Sequence, residues 1–283
     1  MTAYHNPQAL VTTAWLAEHL QDPDLRVLDV DEDTDAYRRG HIPGSVGVHW
    51  RDDLQARVAR DIVSPEDFAA LMDRLGITTG TRVVLYGGNK NWFAAYAYWY
   101  FKYYGHDAVQ LLDGGRRKWE LEGRPLVTDQ PVVPAGSGYP VPTPREEIRA
   151  YRDQILTDFL GRPEAGLVDV RSPEEYSGAK LAPDNLPSEG AQRGGHIPGA
   201  RNIPWSRAVD PEQETFLDAD RLTEIYASEG ITPDREIVAY CRIGERSAHT
   251  WFVLSELLGY PRVRNYDGSW TEWGSLVKAP IEK

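Results

Sequence analysis

The sequence predicts an α/β protein built twice, as two tandem domains, each a mostly parallel sheet flanked by helices on both faces. Three observations carry this. Motifs recur in the same order in the two halves, and short β-branched runs alternate with helical patterns throughout. A lone cysteine also stands where a strand pattern gives way to a helical one, the end of a parallel sheet where ligands bind.

The repeat is read from four pairs of segments. Val27-Leu28-Asp29-Val30 returns as Leu167-Val168-Asp169-Val170, and His41-Ile42-Pro43-Gly44-Ser45 as His196-Ile197-Pro198-Gly199-Ala200. Val83-Val84-Leu85-Tyr86-Gly87 matches Ile237-Val238-Ala239-Tyr240-Cys241, and Leu112-Asp113-Gly114-Gly115 matches Tyr266-Asp267-Gly268-Ser269. The spacing implies a duplicated unit of roughly 130 residues. In the first half, strands are expected over 26–30 and 82–86 and helices near 65–75 and 92–103. The second half should have strands over 167–170 and 236–240 and helices near 219–228 and 247–258. The run Trp92 to Phe101 is aromatic nearly all round, which marks a helix buried in a core. Five prolines and two glycines between 128 and 144 favour an extended connector. The expected division is therefore a first domain over 1–128, a linker over 129–144 and a second domain over 145–283.

The 283 residues carry a net charge of −12, which argues against nucleic acid or an anionic membrane as partner. No apolar run is long enough to span a bilayer, and the first residues lack a secretory pattern. One cysteine permits no internal disulfide, which fits a reducing, cytoplasmic setting. The seven histidines show no ligand spacing, so neither a metal nor a cofactor is expected.

Cys241 heads the loop Cys241-Arg242-Ile243-Gly244-Glu245-Arg246, followed by Ser247. A helix N-terminus and two arginines beside a thiol are expected to lower its pKa and to cradle an anion. Gly244 permits the tight curl, and Ser247 is expected to cap the helix. In the first half the same turn reads Gly87-Gly88-Asn89-Lys90-Asn91, without thiol or arginine. His41, His196, Asp29, Asp113 and Asp267 recur in both halves and are therefore expected to be structural. His249 is expected to be a packed histidine, and Asp169 and Arg171 to pair with each other as readily as with substrate. An insertion over 177–195, with Lys180, Pro183, Pro187 and Gly190, is long enough to fold over the mouth. It ends with Arg193, a candidate second substrate-binding arginine without a match in the first half.

These residues resemble the tandem-domain rhodanese family over about 20–280. Tyr37 to Gly44 and its copy ending in Ala200, the six residues Cys241 to Arg246, and Tyr266 to Trp273 carry the likeness. The resemblance implies an inactive first domain and a second that carries the cysteine. It also implies a two-step sulfur transfer: Cys241 takes the sulfane sulfur of thiosulfate as a persulfide and hands it to cyanide or a thiol. Arg242 and Arg246 would hold the donor's oxyanion end, and backbone N–H groups from Arg242 to Ser247 would stabilise the persulfide. The thiosulfate-type loop of the family reads Cys-Arg-Lys-Gly-Val-Thr and the mercaptopyruvate type Cys-Gly-Ser-Gly-Val-Thr. Arg242 favours the first, while Ile243 and Arg246 depart from both, and Glu175 stands where tandem members carry a substrate arginine. The sister activity on 3-mercaptopyruvate is thus an alternative. A thiolate phosphatase of the same fold needs five residues between Cys and Arg, and here there are four. A non-catalytic module that carries sulfur or merely binds a partner is a further alternative. A duplicated chain is already a pseudo-dimer, and a monomer is expected.

Overall fold

A computed structural model of the chain describes residues 2–133, 136–162, 164–182 and 190–283. The chain divides into two compact units. One comprises Gln8–Arg145 with Val209–Phe216, and the other Met1–Pro7, Glu146–Ala208 and Leu217–Lys283.

The unit formed mainly by the first half holds strands β1 (Leu10–Val11), β2 (Leu25–Asp29), β3 (Val46–Gly47), β4 (Arg82–Tyr86) and β5 (Val109–Leu112). They pair in the order β1-β5-β4-β2-β3, all parallel. Its helices are α1 (Thr13–His19), α2 (Ala36–Arg39), α3 (Trp50–Leu54), α4 (Pro65–Arg74), α5 (Trp92–Tyr103) and α6 (Gly115–Leu121). α4 starts where the sequence signals a start: Ser64 accepts the Asp67 N–H and Pro65 occupies the first turn. α5 is buried at every residue except Lys102, as expected of an all-round apolar helix.

The other unit holds β6 (Ala165–Asp169), β7 (Arg201–Asn202), β8 (Glu236–Tyr240) and β9 (Val263–Tyr266), parallel in the order β7-β6-β8-β9. Its helices are α7 (Arg152–Gln154), α8 (Pro173–Tyr176), α9 (Ala219–Ala227), α10 (Glu245–Phe252) and α11 (Ser269–Trp273). The central strand β8 is buried from Ile237 to Tyr240, so its loop leaves from the middle of the sheet.

Both halves repeat one cross-link between the central strand and the His-Ile-Pro-Gly turn. The Ile42 N–H donates to the Tyr86 hydroxyl at 3.0 Å, and the Ile197 N–H donates to the Tyr240 hydroxyl at 3.1 Å. α10 begins two residues earlier than the sequence pattern suggests, so Glu245 and Arg246 lie in its first turn. Part of the insertion, residues 183–189 with Pro183 and Pro187, lies outside the described residues, and so does the expectation that it covers the mouth. The Pro134-Ala135 step of the connector lies outside them too.

Candidate active site

Cys241 follows β8 directly, and Gly244 starts α10 with φ at 100°, a left-handed conformation that suits glycine. A Cβ on Gly244 would lie 2.7 Å from the Asp267 Cα, so the loop also packs too closely for any side chain there. The first turn of α11 pins the loop from the other side. Trp270 N–H donates to the Cys241 carbonyl at 3.1 Å and Thr271 N–H to the Arg242 carbonyl at 3.0 Å, while Cys241 N–H donates to the Ser269 hydroxyl.

The Cys241 sulfur is fully buried. Gly244 N–H donates to Sγ at 3.2 Å, the start of the anion cradle expected at a helix N-terminus. The thiol itself donates to Oε2 of Glu245, also at 3.2 Å. Burial and then the Glu245 carboxylate push the thiol pKa up, against a smaller lowering by Arg246 and Ser247. The expectation of a lowered pKa is thus corrected: the sequence shows the arginines but not how they are paired.

That pairing is nearly complete. Arg242 donates to Oε1 of Glu245 at 3.1 Å. Arg246 binds Glu175 of α8 through two parallel bonds of 2.8 and 3.0 Å, with all four side chains of these two pairs buried. Burial opposes the charge of Glu245, yet Arg242 and Arg246 hold its pKa below the usual range. Burial likewise opposes the charge of Glu175, and Arg246 holds it low. Arg242 and Arg246, expected to hold the donor's oxyanion end, therefore already have carboxylate partners. Ile243 is buried, and its N–H donates to Oε2 of Glu245 at 3.2 Å.

Ser247 is not the cap of α10, whose N-cap is Gly244. It sits three residues into the helix and donates to Oδ1 of Asn265 at 2.6 Å, with its oxygen 3.6 Å from Sγ. Asn265 in turn donates to the Gly244 carbonyl, tying β9 to the loop. Arg193 is not gathered into this cluster: it is exposed and its guanidinium donates to the Gln192 carbonyl at 2.8 Å. Asp169 and Arg171 do pair with each other, fully buried, with the guanidinium 4.6 Å above the Trp270 ring. His196 stacks on Tyr176 and bonds its carbonyl, as His41 does with Tyr37, which is a turn role. His249 is buried against Trp205.

Sequence reasoning placed Glu245 in the loop without seeing that it faces the sulfur, and it missed Asn265. It saw that Glu175 replaced an arginine but not that Glu175 meets the arginine that replaced a threonine.

The first-half turn keeps the shape of a cradle and fills it internally. Asn89, Lys90 and Asn91 all have positive φ. The Gly88 N–H donates to Asp31 at 2.7 Å, and the Lys90 N–H donates to Glu214 at 2.7 Å. A Cβ on Gly87 would lie 2.2 Å from the Val30 carbonyl oxygen. Among the described residues no group of three or more His, Cys, Asp or Glu is set to hold a metal, and no helix is long and apolar enough to cross a membrane.

A duplicated parallel α/β fold with a buried thiol in a loop of backbone donors defines a class, the proteins built on the rhodanese-like domain. The family model for that domain matches residues 12–122 and 153–276, and the chain belongs to the rhodanese family in its tandem form. The chain is 56% identical over 282 residues to the "Sulfur carrier protein TtuD" of Thermus thermophilus, covering 99% of this chain and 98% of that one. It is 55% identical over 273 residues to a Mycobacterium bovis protein provisionally named thiosulfate sulfurtransferase 1, with 96% and 97% covered. Among solved structures, YnjE superimposes with a TM-score of 0.85 at 26% identity, covering 100% of this chain and 70% of that one. EanB in complex with ergothioneine gives 0.85 at 26%, covering 100% and 72%. These relatives are named as a sulfur carrier and as a thiosulfate sulfurtransferase, which supports the sulfurtransferase family.

Proposed function

We propose that the protein is a sulfurtransferase that moves a sulfane sulfur from thiosulfate to cyanide or a thiol acceptor through a persulfide on Cys241. The position of the Cys241 sulfur carries this reading: it lies at the carboxyl end of the central strand, under the N-terminus of α10, with the Gly244 N–H on it. Such a loop favours an anionic outer sulfur over a neutral thiol, because its N–H donors are fixed before the charge arrives. The catalytic half is then 145–283, and the first half, with its turn already filled, is scaffold. Arg242 and Arg246 contribute positive potential rather than unpaired guanidiniums, and Arg193 remains a candidate only if it swings inward. The donor and acceptor are small molecules, the working form is a monomer, and a single thiol suits a reducing cytoplasm.

The test is intact mass. After mixing with thiosulfate the protein should become one sulfur atom heavier, cyanide should restore it, and Cys241→Ser should remain unchanged. A mass unaffected by thiosulfate but raised by 3-mercaptopyruvate would move the protein to the sister activity with the same intermediate. Aryl phosphates should not be turned over, because four residues between Cys241 and Arg246 leave too small a loop for a phosphate. One observation favours a second reading of the acceptor. The similarity to a protein named as a sulfur carrier suits delivery of the persulfide sulfur to another protein's thiol rather than to cyanide.

A further inference from the structure

We propose that Glu245 is the acid–base residue of the sulfur transfer, taking the Cys241 proton as the sulfur attacks and returning it when the acceptor removes the sulfur. This rests on the persulfide reading above and deepens it.

The geometry is specific. Oε2 of Glu245 is 3.2 Å from Sγ and receives the thiol proton in a hydrogen bond, within the reach a general base needs. The carboxylate is fully buried, and its other oxygen is held by Arg242 at 3.1 Å. Oε2 also accepts the Ile243 N–H at 3.2 Å, which fixes the carboxylate in the loop with the same oxygen on the nucleophile. Where it stands, its charge opposes every anionic state of the sulfur, thiolate or persulfide. Two like charges at that distance in a buried loop do not stand together, so the pair keeps one proton between them.

At rest the surroundings keep the proton on sulfur, since Arg242 and Arg246 hold the carboxylate ionised against its burial, so the transfer awaits the donor. Arg242 faces the carboxylate from the loop, and Arg246 from α10, the latter bound to Glu175 of α8. The unit also holds the Asp169–Arg171 pair at the end of β6 and the pair between Arg149, ahead of α7, and Asp267, after β9, each internally balanced, with His249 further along α10. Two guanidiniums thus meet two carboxylates next to the sulfur. When Glu245 takes the proton, one guanidinium charge loses its carboxylate counterpart and is balanced instead by the anionic sulfur, thiolate and then persulfide.

The step balances. The S–H bond breaks and its proton goes to Oε2 of Glu245. The sulfur's electron pair forms a bond to the donor's sulfane sulfur, the donor's own S–S bond breaks, and sulfite leaves with that pair. The acceptor then attacks the outer sulfur, Cys241 leaves as thiolate, and Glu245 returns the proton. The sulfane sulfur is the only oxidant required.

The experiment compares, across pH, the rate of persulfide formation with the thiolate content read from its ultraviolet absorbance. In the wild-type protein persulfide should form at a constant rate below the pH at which thiolate appears, because the proton stays within the pair. In Glu245→Gln the thiol should ionise at lower pH, and below that point the rate should fall about tenfold per pH unit, in step with thiolate. A wild-type rate that rises in parallel with thiolate absorbance overturns the proposal, as does a Glu245→Gln rate that stays constant below its own ionisation. Should the variant fail to fold, infrared difference spectra of the wild-type protein decide. Loading with sulfur should produce a carboxylic-acid C=O band, and its absence overturns the role. If the wild-type protein forms no persulfide from thiosulfate or 3-mercaptopyruvate, the sulfurtransfer reading falls and this role with it.

Discussion

At the scale of single residues, the site is a set of buried charges that cancel. Removing one member of the Glu175–Arg246 pair leaves the other buried without its partner, which costs about 3–5 kcal/mol. Glu175→Gln should therefore lower stability by about that amount in urea melts, and Glu175→Leu combined with Arg246→Met should recover most of it. The pH dependence follows from the lowered pKa of Glu175. Unfolded, the side chain binds protons at a higher pH than when folded, so its contribution is complete above the ordinary glutamate range. It fades as pH falls through the folded value, and Glu175→Gln should flatten that acid slope. A variant as stable as wild type, with the same slope, would refute the role of the pair. The position of Cys241 and its loop between β8 and α10 was legible because a strand pattern gives way there to a helix pattern. The partners were not legible, because Glu175 and Arg246 are 71 positions apart and nothing local says which charges meet. The raised thiol pKa was hidden because its first cause is burial, which the fold sets, and its second is the turn of Glu245 onto the sulfur.

At the scale of elements, the loop works only because α10 starts where it does. Gly244→Ala would force a left-handed φ on a residue with a side chain and drive its Cβ into Asp267, at a strain of about 1–3 kcal/mol. Persulfide formation should slow sharply, because the Gly244 N–H is aimed at the sulfur. Gly199→Ala is the control: its φ is also positive, at 79°, but nothing lies within 4 Å of the new Cβ. Equal losses in the two variants would show that close packing under α10 does not matter. The central strands and the long helices were legible from periodicity and caps, and β4 and β8 fall where expected. The two-residue strands β1, β3 and β7 were not, since they exist through pairing with a neighbour and carry no periodic pattern of their own. The start of α10 was missed by two residues because Glu245 and Arg246 look like loop until their contacts are known.

At the scale of the whole molecule, the sequence halves and the compact units do not coincide. The chain passes from one unit to the other four times, and residues 209–216, from the second half, belong to the unit built from the first. Phe216 N–H donates to Asp113 at 2.9 Å, and Glu214 closes on the Lys90 N–H. A single cut at a protease site placed between residues 129 and 133 should therefore leave two fragments that co-elute on native size exclusion. Fragments eluting separately would show that this arm does not hold. The repeat itself was legible, but an arm of eight residues that changes sides leaves no compositional trace. For descent, the filled turn of the first half acts as a ratchet. Placing a cysteine at position 87 by one codon change would meet the Val30 carbonyl at 2.2 Å and donors already taken by Asp31 and Glu214. A thiol placed there alone finds neither room nor a free N–H from Gly88 or Lys90. The two turns are not interchangeable, since a thiol fits the second and not the first without changes around it.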